Sequence, residues 1–214
     1  MEPDFSYLAA AATTEELTER IDNRKNYLPE TVEAAVAELK HRKHAFSDDE
    51  LSTIDDDIDL QRKNAAMVDG RLGFFNSTAK NVIVKDREAP SLYSRQALYV
   101  FTVLCGALFG SIMLAVNVGK TKKPRNAVWV ILFGIAFTAL QVFVISTYAR
   151  PGSGSSGAII GGIIAAYTLD FLFWKPFIGY STFYRARPIW VPLIIALVIV
   201  GLLIAAVIVG GNAG

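Results

Sequence analysis

Residues 97–118, ALYVFTVLCGALFGSIMLAVNV, open a half of the chain in which long apolar runs follow one another with only short polar breaks between them. Three more follow: Ala127–Tyr148, Gly157–Trp174 and Ile189–Gly210. Each holds about 18 to 22 residues, and at 1.5 Å rise per residue that matches a hydrocarbon layer about 30 Å thick. The sequence therefore predicts an all-α membrane protein with four transmembrane helices, preceded by a small soluble three-helix module. The boundaries read as a module at 1–67, a linker at 68–95 that rests on the membrane surface or folds back, and a bundle at 96–211.

Charge divides the chain at the same place. The totals, 52% hydrophobic and a net charge of +1, describe neither half, because after residue 90 the only acidic side chain is Asp170. An ionised group at the bilayer centre costs a few kcal/mol even on lenient insertion scales (about 2.5–3.5), so this asymmetry reports two solvents. No basic cluster is large enough for nucleic acid. The single cysteine, Cys105, allows no intrachain disulfide and no cysteine-based metal site.

From the start, Met1–Ala12 lacks the basic region, apolar core and cleavage site of a secretory signal. Thr13-x-x-Glu16 has capping-box spacing and opens a helix ending near Asn23. Pro29 suits the first turn of a second helix, where Val32, Ala35, Val36 and Leu39 share a face up to Arg42. Ser47-x-x-Glu50 opens a third, with Leu51, Ile54 and Ile58 in register. So thin an apolar content predicts marginal stability alone and dependence on a partner or on the membrane.

Two patterns in the module resemble metal sites and fail on chemistry. Asp55, Asp57 and Asp59 alternate as in a calcium loop, but Leu60 and Ala66 stand where a glycine and a carboxylate are needed. His41 and His44 are three apart among cations, which suits a helix C-terminal dipole better than a metal. In the linker, Asp69-Gly70, Asn76-Ser77 and Ala89-Pro90 are turn signals. Leu72, Phe74 and Phe75 are apolar enough for the headgroup level, and Asn81–Val84 reads as a short extended piece.

Within the runs, Gly106 and Gly110, then Gly157, Gly161 and Gly162, have the one-turn spacing that lets helix backbones approach closely, inside one bundle or between copies. The intramembrane polar candidates are Asn117, Gln141 and Asp170. Asp170 is expected to snorkel to the interface and pair with Lys175 or with Arg185 and Arg187, which also read as lipid-headgroup or partner contacts. Gly152-Ser153-Gly154-Ser155-Ser156-Gly157 reads as a flexible connection.

Topology sets two arguments against each other. Lys120, Lys122, Lys123 and Arg125 after the first run, with Lys175, Arg185 and Arg187 after the third, belong inside by the positive-inside rule, which sends the module outside. Against them stand Lys80, Lys85, Arg87, Arg95 and Arg150, and a charged tail of about 95 residues would have to cross first. Both termini in the cytoplasm is the expectation, and a first helix that fails to cross would remove the conflict. Tyr93, Tyr99, Trp129, Tyr148, Trp174, Tyr180, Tyr184 and Trp190 fall near run ends as an aromatic belt.

The segments Ala107–Gly110, Leu114–Val118, Phe173-Trp174-Lys175 and Tyr184–Pro188, with Tyr27-Leu28-Pro29-Glu30 in the module, resemble multi-span bacterial membrane proteins of uncharacterised role. The resemblance implies a bacterial inner membrane and brings no catalytic, cofactor or ligand residues. With no paired nucleophile and base, phosphate loop or metal cluster in the pattern, the expected function is a non-enzymatic membrane subunit or scaffold. Its module would bind a cytoplasmic partner, its bundle would meet lipid, and self-association is open. The alternative is an oligomeric channel or membrane-perturbing effector gated by the module.

Overall fold

The computed structural model describes residues 4–68, 77–121, 124–148 and 154–211. The turn and headgroup readings at Asp69, Gly70, Leu72, Phe74, Phe75 and Asn76, the charges of Lys122, Lys123 and Arg150, and the start of the Gly152-Ser153 connection lie outside these residues. The protein is mostly helical and falls into two compact units. One comprises the chain up to Leu92 together with Trp174–Ala186; the other comprises Tyr93–Phe173 together with the chain from Arg187 onward.

In the first unit, the helices α1 (Phe5–Ala11), α2 (Thr14–Asp22), α3 (Pro29–His41) and α4 (Asp48–Ala66) start where local chemistry fixes them. Both capping boxes are closed: Thr13 Oγ1 accepts from the Glu16 amide at 3.2 Å while Glu16 accepts from the Thr13 amide at 2.9 Å. Ser47 and Glu50 exchange the same pair of bonds at 3.1 and 2.9 Å. Pro29 occupies the first turn of α3. Apolar side chains at helical spacing then meet in one core of Ala9, Leu17, Ile21, Val32, Ala35, Leu39, Ile54 and Ile58.

The helix α1 has too little apolar periodicity to be read from sequence. It is held from outside, because Arg42 Nη2 donates to the Ala10 and Ala12 carbonyls at 3.1 and 2.9 Å, satisfying the C-terminal end of α1. Asp57, one of the alternating acids, pairs with Arg24 at 2.5 Å. Arg62 of α4 takes Glu33 of α3 at 2.7 Å, and that hydrogen bond pushes the guanidinium pKa up.

The unit also contains extended chain. Strands β1 (Ile83–Val84), β2 (Ser91–Leu92) and β3 (Tyr184–Ala186) form a parallel sheet with β3 in the middle. Tyr184 sits opposite Ile83, and Arg185 opposite both Val84 and Ser91. Residues 83–92, read as linker, are thus docked. The Lys85 and Asp86 amides donate to the Asn26 carbonyl at 2.7 and 3.1 Å. Buried Asp86 in turn accepts from the Leu28 amide at 3.0 Å and the Thr31 hydroxyl at 2.7 Å, placing a carboxylate at the N-terminus of α3 where the helix dipole favours it.

In the second unit, α7 (Ala127–Tyr148) and α8 (Gly154–Leu169) match two of the predicted runs, and α8 continues through a wider π turn, Asp170–Trp174. A single helical turn α9 (Lys175–Phe177) follows in the first unit, and α10 (Trp190–Gly211) ends the described chain. Pro124–Tyr148 and Ser156–Phe177 are the two helices long and apolar enough to cross a membrane among those described in full, and Trp190–Ile199 is a further apolar helix. Their outward side chains, Trp129, Leu132, Phe143, Ile160 and Val198 among them, are large, apolar and exposed, as a hydrocarbon solvent permits.

The first run departs from prediction. Ala97–Val118 is not one rod but two short helices, α5 (Arg95–Cys105) and α6 (Ala107–Val118), broken at Gly106. At 1.5 Å per residue each reaches about 16 to 18 Å, roughly half a hydrocarbon layer.

Removing the Asp86 carboxylate leaves the Leu28 amide and Thr31 hydroxyl without their acceptor. Asp86→Ala is expected to cost about 1–3 kcal/mol, against about 1 kcal/mol for the exposed cap Thr13→Ala. Denaturant unfolding of the detergent-solubilised protein would compare them, and a smaller loss at Asp86 would contradict the docking described here.

Candidate functional site

The second unit brings Arg95, Tyr99, Asn117 and Asp170 to one end. Arg95, in the first turn of α5, points at Asp170, which begins the π turn after α8. Its Nε donates to Oδ1 at 3.0 Å and its Nη2 to Oδ2 at 2.6 Å, a two-pronged pair whose side chains are 2% and 5% exposed. Tyr99, one turn along α5, donates its hydroxyl to Asp170 Oδ2 at 3.0 Å. The carboxylate thus accepts three charge-assisted bonds in a dry setting, the arrangement in which such bonds are strongest. The π turn widens α8 where Asp170 leaves it, as such turns do beside special residues.

Beside it, Asn117 closes the hairpin. Its Nδ2 donates to the Tyr93 carbonyl at 2.9 Å and its Oδ1 accepts from the Tyr93 amide at 2.8 Å, so a buried side chain replaces the partners that strand or helix would have supplied to that backbone. Arg187 lies over the Tyr93 ring at 4.9 Å, a cation–π contact.

The hairpin turns on glycine. Gly106 has φ +91° and ψ 169°, a region open essentially to glycine alone, and a Cβ there would have open space around it. Its role is conformational and not the helix packing that its spacing suggested. Gly110 is a packing glycine, since a Cβ would overlap the Thr102 side chain of α5, and the Phe101 and Phe109 rings stack at 5.5 Å across the same seam. Gly162 lies against α5, with the Val103 backbone 3.0 Å from where its Cβ would be. Gly161 faces Gln141, and Gly157 makes ordinary contact with Ile145 of α7. Gln141 Nε2 donates to the Ala158 carbonyl of α8 at 3.1 Å.

Of the sequence-predicted site residues, then, Asn117 and Asp170 are brought together at one end, and Gln141 is engaged between α7 and α8. Asp170 is bonded to Arg95 and Tyr99, neither of which was among its predicted partners Lys175, Arg185 and Arg187. The reason is geometric: α5 runs beside α8, which brings a residue 75 positions away in sequence against the carboxylate. Lys175 is exposed, Arg185 lies half-buried in β3, and Arg187 faces Tyr93. Sequence reasoning missed Arg95 and Tyr99, although a lone arginine opening an apolar run was the available signal.

No family model, curated protein or solved structure matches this chain. Among the described residues no three His, Cys, Asp or Glu side chains are grouped to hold a metal ion.

Breaking the pair on one side leaves a buried charge. Arg95→Met or Asp170→Leu alone is expected to destabilise the protein by about 3–5 kcal/mol, and the double substitution by clearly less than either. Gly106→Ala should cost about 1–3 kcal/mol despite the empty space around its Cβ, because the backbone angle alone opposes it. Thermal unfolding in mild detergent reads all four, and equal losses for single and double variants would remove the ion pair from this account.

Proposed function

We propose that the protein is a non-enzymatic integral membrane subunit, a multi-pass scaffold of a bacterial inner membrane whose N-terminal helical module binds a cytoplasmic protein partner. The observation that carries this reading is the engagement of Asn117, Gln141 and Asp170, the three intramembrane polar candidates, in bonds that hold the unit's own segments together. Side chains arranged for transport or catalysis would instead be aimed at a pathway or pocket.

The module supplies a docking surface. A cleft of about 360 Å³ has Ile21, Leu39, Phe46 and Ile54 on its apolar floor and Asp49, Glu50 and Arg24 on its rim. The outer face of α4 adds Asp48, Asp55, Asp56 and Asp59, so a basic amphipathic segment is the chemistry that fits. A second reading, an oligomeric channel or membrane-perturbing effector gated by the module, is favoured by the half-length helices at Gly106, because broken helices at membrane depth often line water-filled cavities.

Ion flux through liposomes reconstituted with the purified protein separates the two. The scaffold reading expects none above empty liposomes, and conductance that survives purification overturns it in favour of the channel. A partner cross-linked through a probe at Thr53, on the cleft rim, should be lost on Asp49→Lys, and cross-linking unaffected by that reversal would place the partner elsewhere.

A further inference from the structure

The hairpin has a consequence for the membrane path. In a continuous helix Tyr93 and Asn117 would stand about 36 Å apart, yet here they exchange two hydrogen bonds. Arg95 meets Asp170, and Arg187 meets Tyr93, at the same end of the unit. Every segment that leaves this end therefore leaves at one level: the chain before Tyr93, the loop after Val118, and the stretch between Asp170 and Arg187. The opposite end of the hairpin, Val103 to Leu108, carries no charge, and Leu104 there is 74% exposed. A tip turned towards water would be polar, whereas an apolar exposed tip fits hydrocarbon.

We infer that residues 94–118 enter and leave the bilayer through the same face, so that the protein crosses three times, on α7, α8 and α10, and presents its cations to the anionic headgroups of one leaflet. Charge supplies the independent support. With a crossing at 97–118, the twelve Lys and Arg residues after residue 79 divide seven to five. With a re-entrant hairpin, Lys80, Lys85, Arg87, Arg95, the four cations of 120–125, Lys175, Arg185 and Arg187 share one side, and Arg150 stands alone on the other. Arg95 of that group is paired with Asp170. That asymmetry is the one the positive-inside rule associates with the cytoplasmic face, where anionic lipid is worth about 1 kcal/mol per basic residue. The module stays in the cytoplasm without crossing, and the C-terminal end lies on the other side.

The inference rests on membrane residence, and the experiment reads that separately. In the full chain carrying Cys105→Ala, single substitutions Ser52→Cys, Lys120→Cys, Ser156→Cys, Ser181→Cys and Asn212→Cys are exposed to a membrane-impermeant maleimide in bacterial spheroplasts, before and after lysis. Positions 156 and 212 should label before lysis, and 52, 120 and 181 only after it. Label at 120 with protection at 156 means four crossings from a cytoplasmic module, and label at 52 means an external module; either overturns the inference while leaving membrane residence intact. Release of the chain by alkaline carbonate without detergent overturns both.

Discussion

A guanidinium held against a carboxylate out of reach of water is the contact on which the apolar half of this protein depends. Neither charge is tolerable there alone, since the effective penalty for burying an ion unpaired is several kcal/mol. Arg95 and Asp170 therefore have to meet, and because one opens α5 and the other directly follows α8 their meeting fixes which helices are neighbours. The glycines at 110 and 162 then let α5 be approached closely from two sides. The polar contacts fix which segments meet, and the small residues permit the close approach.

The first unit is organised on the opposite principle. Its core is small, and the pieces around it are joined by carboxylates and arginines placed where backbone groups would otherwise lack partners: Asp86 at the start of α3, Arg42 at the end of α1. Arg42 is half-buried, so its link defines geometry more than it adds stability, whereas Asp86 is buried and its removal would strand the groups it accepts from.

What could be read from the sequence was whatever local rules determine. Thr13, Ser47 and Pro29 marked three helix starts, and the apolar runs of α7, α8 and α10 could be bounded by composition alone. The run at 97–118 could not be resolved that way, because a helix that crosses and a hairpin that returns need the same apolar composition. What distinguishes them is a positive φ at Gly106 and a side-chain grip by Asn117, neither of which leaves a periodic trace. Gly106 was read by its spacing from Gly110, a pattern that describes packing and is silent about backbone angle. Asp170 was recognised as needing a partner, but sequence proximity nominated Lys175, Arg185 and Arg187 and could not point to Arg95, which only the fold brings to it. Of the short strands, β1 falls in the second half of the stretch read as extended, Asn81–Val84, while β2 and β3 are too short for any alternation to register.

The short parallel sheet imposes an order of events on synthesis. Its middle strand, Tyr184–Ala186, is separated by roughly a hundred residues from Ile83 and Ser91, between which it inserts. While the ribosome is still translating the apolar helices, β1 and β2 have no strand to separate them, and their edges wait open. Maturation of the amino-terminal half is thereby coupled to arrival of the segment that follows α8. A nascent chain stalled before that point, or a fragment ending at residue 92, would hold its four helices without the strand that unites its last ten residues.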